Sequence, residues 1–103
     1  MIKLFISQPM RGLSDEEILT KRKELIDLVK KENSDEVKVI DSFIKEDTPD
    51  GVNIPLWYLS RSIRFLSEAD VAIFGKGWED ARGCKIEHEC AIAYGIPTIE
   101  ENS

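Results

Sequence analysis

Glu87 is the residue whose type and setting point to chemistry. It follows Gly83 by four residues, downstream of the loop Gly75-Lys76-Gly77-Trp78-Glu79-Asp80-Ala81-Arg82. An apolar run, Val71-Ala72-Ile73-Phe74, precedes the loop, and a helical pattern follows it, closing at Gly95 with Pro97 behind. Gly then Pro is a common helix exit, so the segment reads strand, loop, helix. Glu87 falls one turn inside that helix, with Cys90, Ala91 and Tyr94 on its side at i+3, i+4 and i+7. The helix dipole should favour the ionised carboxylate. The carboxyl end of a parallel strand is where α/β sheets take ligands. A carboxylate so placed is a candidate for chemistry. The alternative is a solvated surface glutamate in an acidic chain.

The other reactive side chains are few. Cys84 and Cys90 are the only cysteines. Six residues apart on one helix, about 9 Å along the axis, they are too distant for a disulfide. With no signal peptide and no apolar run near 18 residues, this predicts a reducing cytoplasm and no membrane partner. Cys84 and His88, at i and i+4, could offer two metal ligands. No second cluster completes a zinc site, so no metal is expected.

Elements that position Glu87 can be read along the 103 residues, a length for one domain. Ile2 to Ile6 reads as a strand buried on both faces. Ser7-Gln8-Pro9-Met10-Arg11-Gly12 reads as a loop. Ser14, with Glu17 three residues on, forms a capping-box pattern for a helix to about Glu32, with Ile18, Leu25, Leu28 and Val29 on one side. Asn33-Ser34-Asp35 is a turn, and Val37 to Ile40 a second strand ending at Asp41-Ser42-Phe43. Lys45 to Asn53 is a polar loop. Pro55 opens a helix to Leu66, with one stripe of Leu56, Leu59, Ile63 and Leu66 and another of Tyr58, Ser62 and Phe65. Two apolar faces are more than one sheet covers; the second would meet another subunit or a ligand, the alternative being a short chain that leaves a few aromatics exposed. Ala69 to Phe74 is the third strand, Thr98-Ile99 a short fourth, and Glu100 to Ser103 a tail.

Four strands alternating with three helices predict an α/β, doubly wound, open parallel sheet of order 2-1-3-4, as in flavodoxin-like folds. Its switch point lies between strands 1 and 3. The loop from Ser7 to Gly12 should therefore face the loop from Lys76 to Gly83. The net charge of −6, from 14 basic and 20 acidic residues, argues against a nucleic-acid polymer or membrane surface as the main partner.

The pattern Gly83-x-x-x-Glu87-x-x-x-Ala91-x-x-x-Gly95-x-Pro97 resembles the signature of the nucleoside 2-deoxyribosyltransferase family. Leu4-Phe5-Ile6-Ser7-Gln8-Pro9-Met10 resembles that family's first strand and loop, and Ala69-Asp70-Val71 also matches. QPMRGLS, a Trp in the last loop and RGCKIEHE together look like a small bacterial and phage branch related to it. The resemblance spans nearly the whole chain. It implies that Glu87 attacks the anomeric carbon of a deoxynucleoside, the base leaves, and water or a second base resolves the glycosyl-enzyme. A carboxylate near a helix start can stabilise an oxocarbenium-like centre and bond to it. Asp80 is the nearest match to the family's acid in this loop, one residue further from the Gly, and would help protonate the leaving base.

Two positions depart from the family. A Tyr that contacts the nucleophile falls at Phe5, and an Asp on the preceding helix falls at Ser62. Arg11-Gly12 before a capped helix resembles instead the loop of nucleoside 5′-monophosphate N-glycosidases, where an Arg and backbone N–H groups hold a phosphate. Arg82 could assist. The alternative for Arg11 is a surface salt bridge to Asp15 or Glu16. Trp78 could stack on a base or could anchor its loop on the sheet.

The expectation is thus cleavage or transfer at the N-glycosidic bond of a nucleoside or deoxynucleoside, with Glu87 and Asp80 catalytic and no cofactor. Substrate contacts fall to Ser7, Gln8, Met10, Arg11 and Gly12 from the first loop, with Ser62, Trp78 and Gly83. The alternatives are the same cleavage on a 5′-monophosphate, or a nucleotide-binding module without turnover, for which Phe5 and Ser62 speak. The resemblance also implies a homo-oligomer, in which Glu100-Glu101 could reach a neighbour's cleft.

Overall fold

The computed structural model describes residues 1–33, 35–40 and 47–101. Ser34, the strand-2 exit at Asp41-Ser42-Phe43, the start of the polar loop at Lys45 and the last two tail residues lie outside them.

The first strand, β1 (Ile2–Ser7), leads into helix α1 (Asp15–Glu32) and strand β2 (Val37–Val39). Helix α2 (Ile54–Leu66), strand β3 (Val71–Phe74), helix α3 (Arg82–Ala93) and strand β4 (Thr98–Glu100) follow. The strands form one sheet in the order β2-β1-β3-β4, every neighbouring pair parallel. This is the expected doubly wound α/β arrangement, with β1 and β3 central.

Strand alternation sorts the core to two faces. Leu4, Ile6 and Ile73 meet Leu25 and Val29 of α1 on one side. Phe5, Ala72 and Phe74 meet Leu66 of α2 and Ala91 of α3 on the other. That is why β1 and β3 read as continuous apolar runs. Register pairs Ser7 with Phe74, and the Ser7 carbonyl accepts from the Gly75 N–H at 2.8 Å. Both site loops therefore leave the sheet at the same level. Gly75 is a close-approach position: a Cβ there would lie 3.3 Å from the Gln8 Cβ and 3.4 Å from Leu25.

The caps work as the residue types predict. Ser14 accepts from the Glu17 N–H while the Glu17 carboxylate accepts from the Ser14 N–H, completing the capping box. Asn53 caps α2 by accepting from the Leu56 N–H, so the helix begins at Ile54, one residue before Pro55. β3 begins at Val71 rather than Ala69, because the Glu68 and Ala69 N–H groups still close the end of α2 on Phe65 and Leu66. The Asp70 carboxylate takes the Lys3 N–H at 2.8 Å, at the point where the strand starts.

Helix α2 departs from its expected stripes. Leu66 is buried, but Leu56 at the other end of the same stripe is 61% exposed. The first two turns leave Ile54, Leu56 and Tyr58 open to solvent. The second half of the helix packs, through Phe65 and Leu66, on the sheet face that it shares with α3. Among the described residues, no helix is long and apolar enough to cross a membrane.

Candidate active site

Glu87 is buried, at 7% exposure, on the inner side of α3. The solvated-surface alternative therefore fails. One carboxylate oxygen, Oε1, accepts from the Ser7 hydroxyl at the end of β1, at 2.9 Å. The other, Oε2, accepts from the Ser62 hydroxyl on α2. Two hydroxyls from two different elements thus clamp the carboxyl group on a third. The local setting predicts that the helix dipole would favour the charged form, but burial dominates. It pushes the Glu87 carboxyl above its usual range, against the pull of the Ser62 and Ser7 hydroxyls. Glu87 is the sixth residue of α3, past the first-turn N–H groups where the dipole acts most strongly.

Cys84 lies one turn before Glu87 and is also buried. Burial raises its pKa first, the Ser7 hydroxyl opposes this, and Glu87 adds to it. Both cysteines are free thiols. Of the residues expected to share Glu87's side, Ala91 is buried and Cys90 half-buried, but Tyr94 is 84% exposed. Tyr94 falls at the end of the helix, where the turn into Gly95 takes it off that face.

A groove of about 530 Å³ opens at the switch point. Pro9, Met10 and Arg11 line one wall; Gly77 and the run Asp80, Ala81, Arg82 and Gly83 line the other. The two loops face each other as the strand order requires. Arg11, Arg82 and Asp80 are exposed at this groove. Gly12 turns the chain beside it at φ +81, a left-handed geometry that suits glycine. Glu87 is not among the lining residues; Gly83, one helical turn before it, is.

Two expected substrate contacts have other partners here. The Gln8 side chain is buried and its Nε2 donates to the Ile18 carbonyl at 3.1 Å, bracing the first loop on α1. Trp78 lies in a short 3-10 turn, Trp78–Asp80, and stacks on His88, with ring centroids 4.0 Å apart and planes 19° apart. It packs against Phe74 and the core on that face. The loop-anchor alternative describes this contact. His88 also touches Phe74 edge-on and bonds Glu100 Oε1 through Nε2 at 2.7 Å. His88 thus has its own partner in Glu100. Phe5 is buried in the core.

Glu100 and Glu101 do not reach outward. Glu100 belongs to β4, where the His88 ring and the Thr98 hydroxyl hold its Oε1. Glu101 accepts from the Lys76 N–H at 2.8 Å and pairs through both oxygens with Lys21, at 2.6 and 2.7 Å. Rather than reaching toward a neighbour's cleft, Glu100 and Glu101 are tied to their own chain beside the second site loop. Sequence reasoning missed the parts of Cys84, His88 and Glu101. The i, i+3 spacing of Cys84 and Glu87 was the one local signal available.

Comparison with protein-family models and with curated proteins finds no match to this chain.

Proposed function

We propose that the chain cleaves or transfers at the N-glycosidic bond of a nucleoside or deoxynucleoside through a covalent glycosyl-Glu87 intermediate. The observation that carries this reading is the buried Glu87 carboxyl, clamped by Ser7 and Ser62 one turn from a groove at the sheet's switch point. The resemblance in the sequence supplies the chemistry. One Glu87 oxygen bonds to the anomeric carbon as the bond to the base nitrogen breaks, and that electron pair leaves with the base. The base takes a proton from an acid at the groove, a role this reading gives to Asp80, which lines it. Water or a second base then attacks the same carbon and releases Glu87.

A second reading, cleavage of a 5′-monophosphate, is favoured by the two guanidinium groups, Arg11 and Arg82, that line the groove from opposite walls. We further propose a cytoplasmic homo-oligomer, in which the open apolar residues Ile54, Leu56 and Tyr58 of α2 meet a second copy. The two free thiols agree with a reducing compartment.

The test is a chromatographic assay for free base over a panel of deoxynucleosides and their 5′-monophosphates, with and without an acceptor base. Base release that disappears in Glu87→Ala supports the reading. Release from monophosphates alone, lost in Arg11→Ala, selects the second. No release from any substrate by the folded protein rejects both and leaves a nucleotide-binding module. Release that survives in Glu87→Ala rejects Glu87 as the nucleophile.

A further inference from the structure

While the Glu87 carboxyl meets β1 and α2, the next residue of α3 meets the second site loop, β3 and β4. His88 is the chain's one histidine. Its side chain is 16% exposed. Trp78 stacks on its ring, Phe74 meets the ring edge-on, and Glu100 Oε1 lies 2.7 Å from Nε2.

The bond to Glu100 fixes both a proton and a plane. Glu100 Oε1 also accepts from the Thr98 hydroxyl at 2.8 Å. The Glu100 carboxyl is held below its usual range, chiefly by the His88 ring. An ionised carboxylate can only accept, so Nε2 carries a proton and donates it. An N–H lies in the plane of its ring. A ring whose donor is tied to β4 cannot turn about its last side-chain bond, and it presents one flat face to Trp78, with the planes 19° apart.

Trp78 is where the second loop is fastened. From Gly75 to Ala81, Lys76, Glu79 and Asp80 are exposed, the glycines have no side chain, and Trp78 packs on the core. The turn is built around this residue. The Trp78 N–H donates to the Gly75 carbonyl at 3.1 Å, and the Trp78 carbonyl accepts from the Ala81 N–H at 3.2 Å. The Asp80 N–H closes on the Gly77 carbonyl at 3.1 Å. A single 3-10 turn makes few bonds, of poorer geometry than those of an α-helix. Its place therefore depends on the side chain that anchors it. Gly77, Asp80 and Ala81 are the groove residues that this turn carries.

We propose that His88 is a positioning residue for the groove: its ring, aimed by Glu100, holds Trp78, and Trp78 holds the turn that brings Asp80 to the wall facing Pro9, Met10 and Arg11. The catalytic consequence rests on the reading of Asp80 as the acid that protonates the leaving base. Helix α3 then places both reacting groups, Glu87 directly and Asp80 through the neighbouring residue. Trp78 acquires a duty toward its own loop, where the sequence offered it to a base.

The experiment compares three variants. His88→Leu keeps bulk but loses the flat face and the donor, His88→Phe keeps the face, and His88→Gln keeps a donor. Amide nitrogen relaxation of the substrate-free proteins reads the loop. Order parameters from Gly77 to Ala81 should fall from the rigid-backbone value of about 0.85 to about 0.6 in His88→Leu and His88→Gln, and recover in His88→Phe, while β3 stays rigid. In base release, His88→Leu should lower kcat about tenfold and leave KM nearly unchanged. The same change made in Asp80→Asn should have little further effect. Where His88→Leu does not fold, His88→Gln carries the same arm. A folded His88→Leu or His88→Gln with unmoved order parameters overturns the proposal, as does His88→Phe matching them rather than wild type. A kcat loss that is undiminished in Asp80→Asn overturns the route through Asp80. Absence of base release in every protein defeats the glycosidic reading and leaves the order parameters to decide the positioning. Unmoved order parameters in an active enzyme defeat the positioning and leave the glycosidic reading intact.

Discussion

At the scale of the residue, burial makes Glu87 a cost to stability once it is ionised. Its carboxyl is raised by burial, so between the usual carboxylate range and its folded value the native state holds a proton that the unfolded chain has lost. The stabilisation from that proton is fully present below the unfolded pKa and disappears as pH rises through the folded one. At neutral pH and above, the protein carries the cost of the buried charge. Glu87→Gln, neutral at every pH and able to bond both serines, should therefore be more stable than wild type on the alkaline side. The expected gain is on the order of 1 kcal/mol, or about 4–8 °C in melting temperature for a domain of this size. The difference should shrink as pH falls. Calorimetric scans of both proteins across pH check this, and equal profiles would contradict it. In the same window, base release that requires ionised Glu87 should rise with pH through a midpoint above the usual carboxylate range.

At the scale of the element, the last strand holds the second site loop. Glu101 is half-buried, and burial alone would raise its carboxyl, but Lys21 and the Lys76 N–H outweigh this and hold it low. Its contribution is present above the unfolded pKa and fades as pH falls through the folded one. Glu101→Ala should speed hydrogen exchange at the Lys76 amide by about tenfold, the loss of one charge-assisted bond, while amides inside α1 stay protected. Uniform acceleration would mean general destabilisation instead. Glu100 is likewise held low, chiefly by the His88 ring, and this ties β4 to α3 under the Trp78 stack. The capping box of α1 is exposed, two residues beyond the first site loop. Ser14→Ala should cost about 1 kcal/mol in urea denaturation.

At the scale of the whole molecule, α2 links the site to the surface. Its second half carries Ser62 to Glu87 and Leu66 to the core, while its first half leaves Ile54, Leu56 and Tyr58 uncovered. Sedimentation should show an oligomer that Leu56→Glu reduces to monomer, since a buried charge at an apolar contact costs several kcal/mol. A wild-type protein that sediments as a monomer at all concentrations removes the proposed oligomer.

The sequence by itself determined what depends on near neighbours. Apolar runs marked β1 and β3, the Ser14–Glu17 box and Pro55 marked helix starts, and the strand–helix alternation sufficed for the order 2-1-3-4. These follow from periodicity and from side chains bonding backbone within a turn, so a few residues contain the physics. The strand order then brought the two loops face to face, and the groove formed where the switch point required it. Other features were decided only by tertiary structure. Ser7 and Glu87 stand 80 positions apart and meet because β1 and β3 pair in register. The sign of the Glu87 shift reversed because the dipole is local, and visible in sequence, whereas burial is the sum of three elements packing together. Glu101 read as a tail because its partners, Lys21 and the Lys76 N–H, are neighbours through space alone.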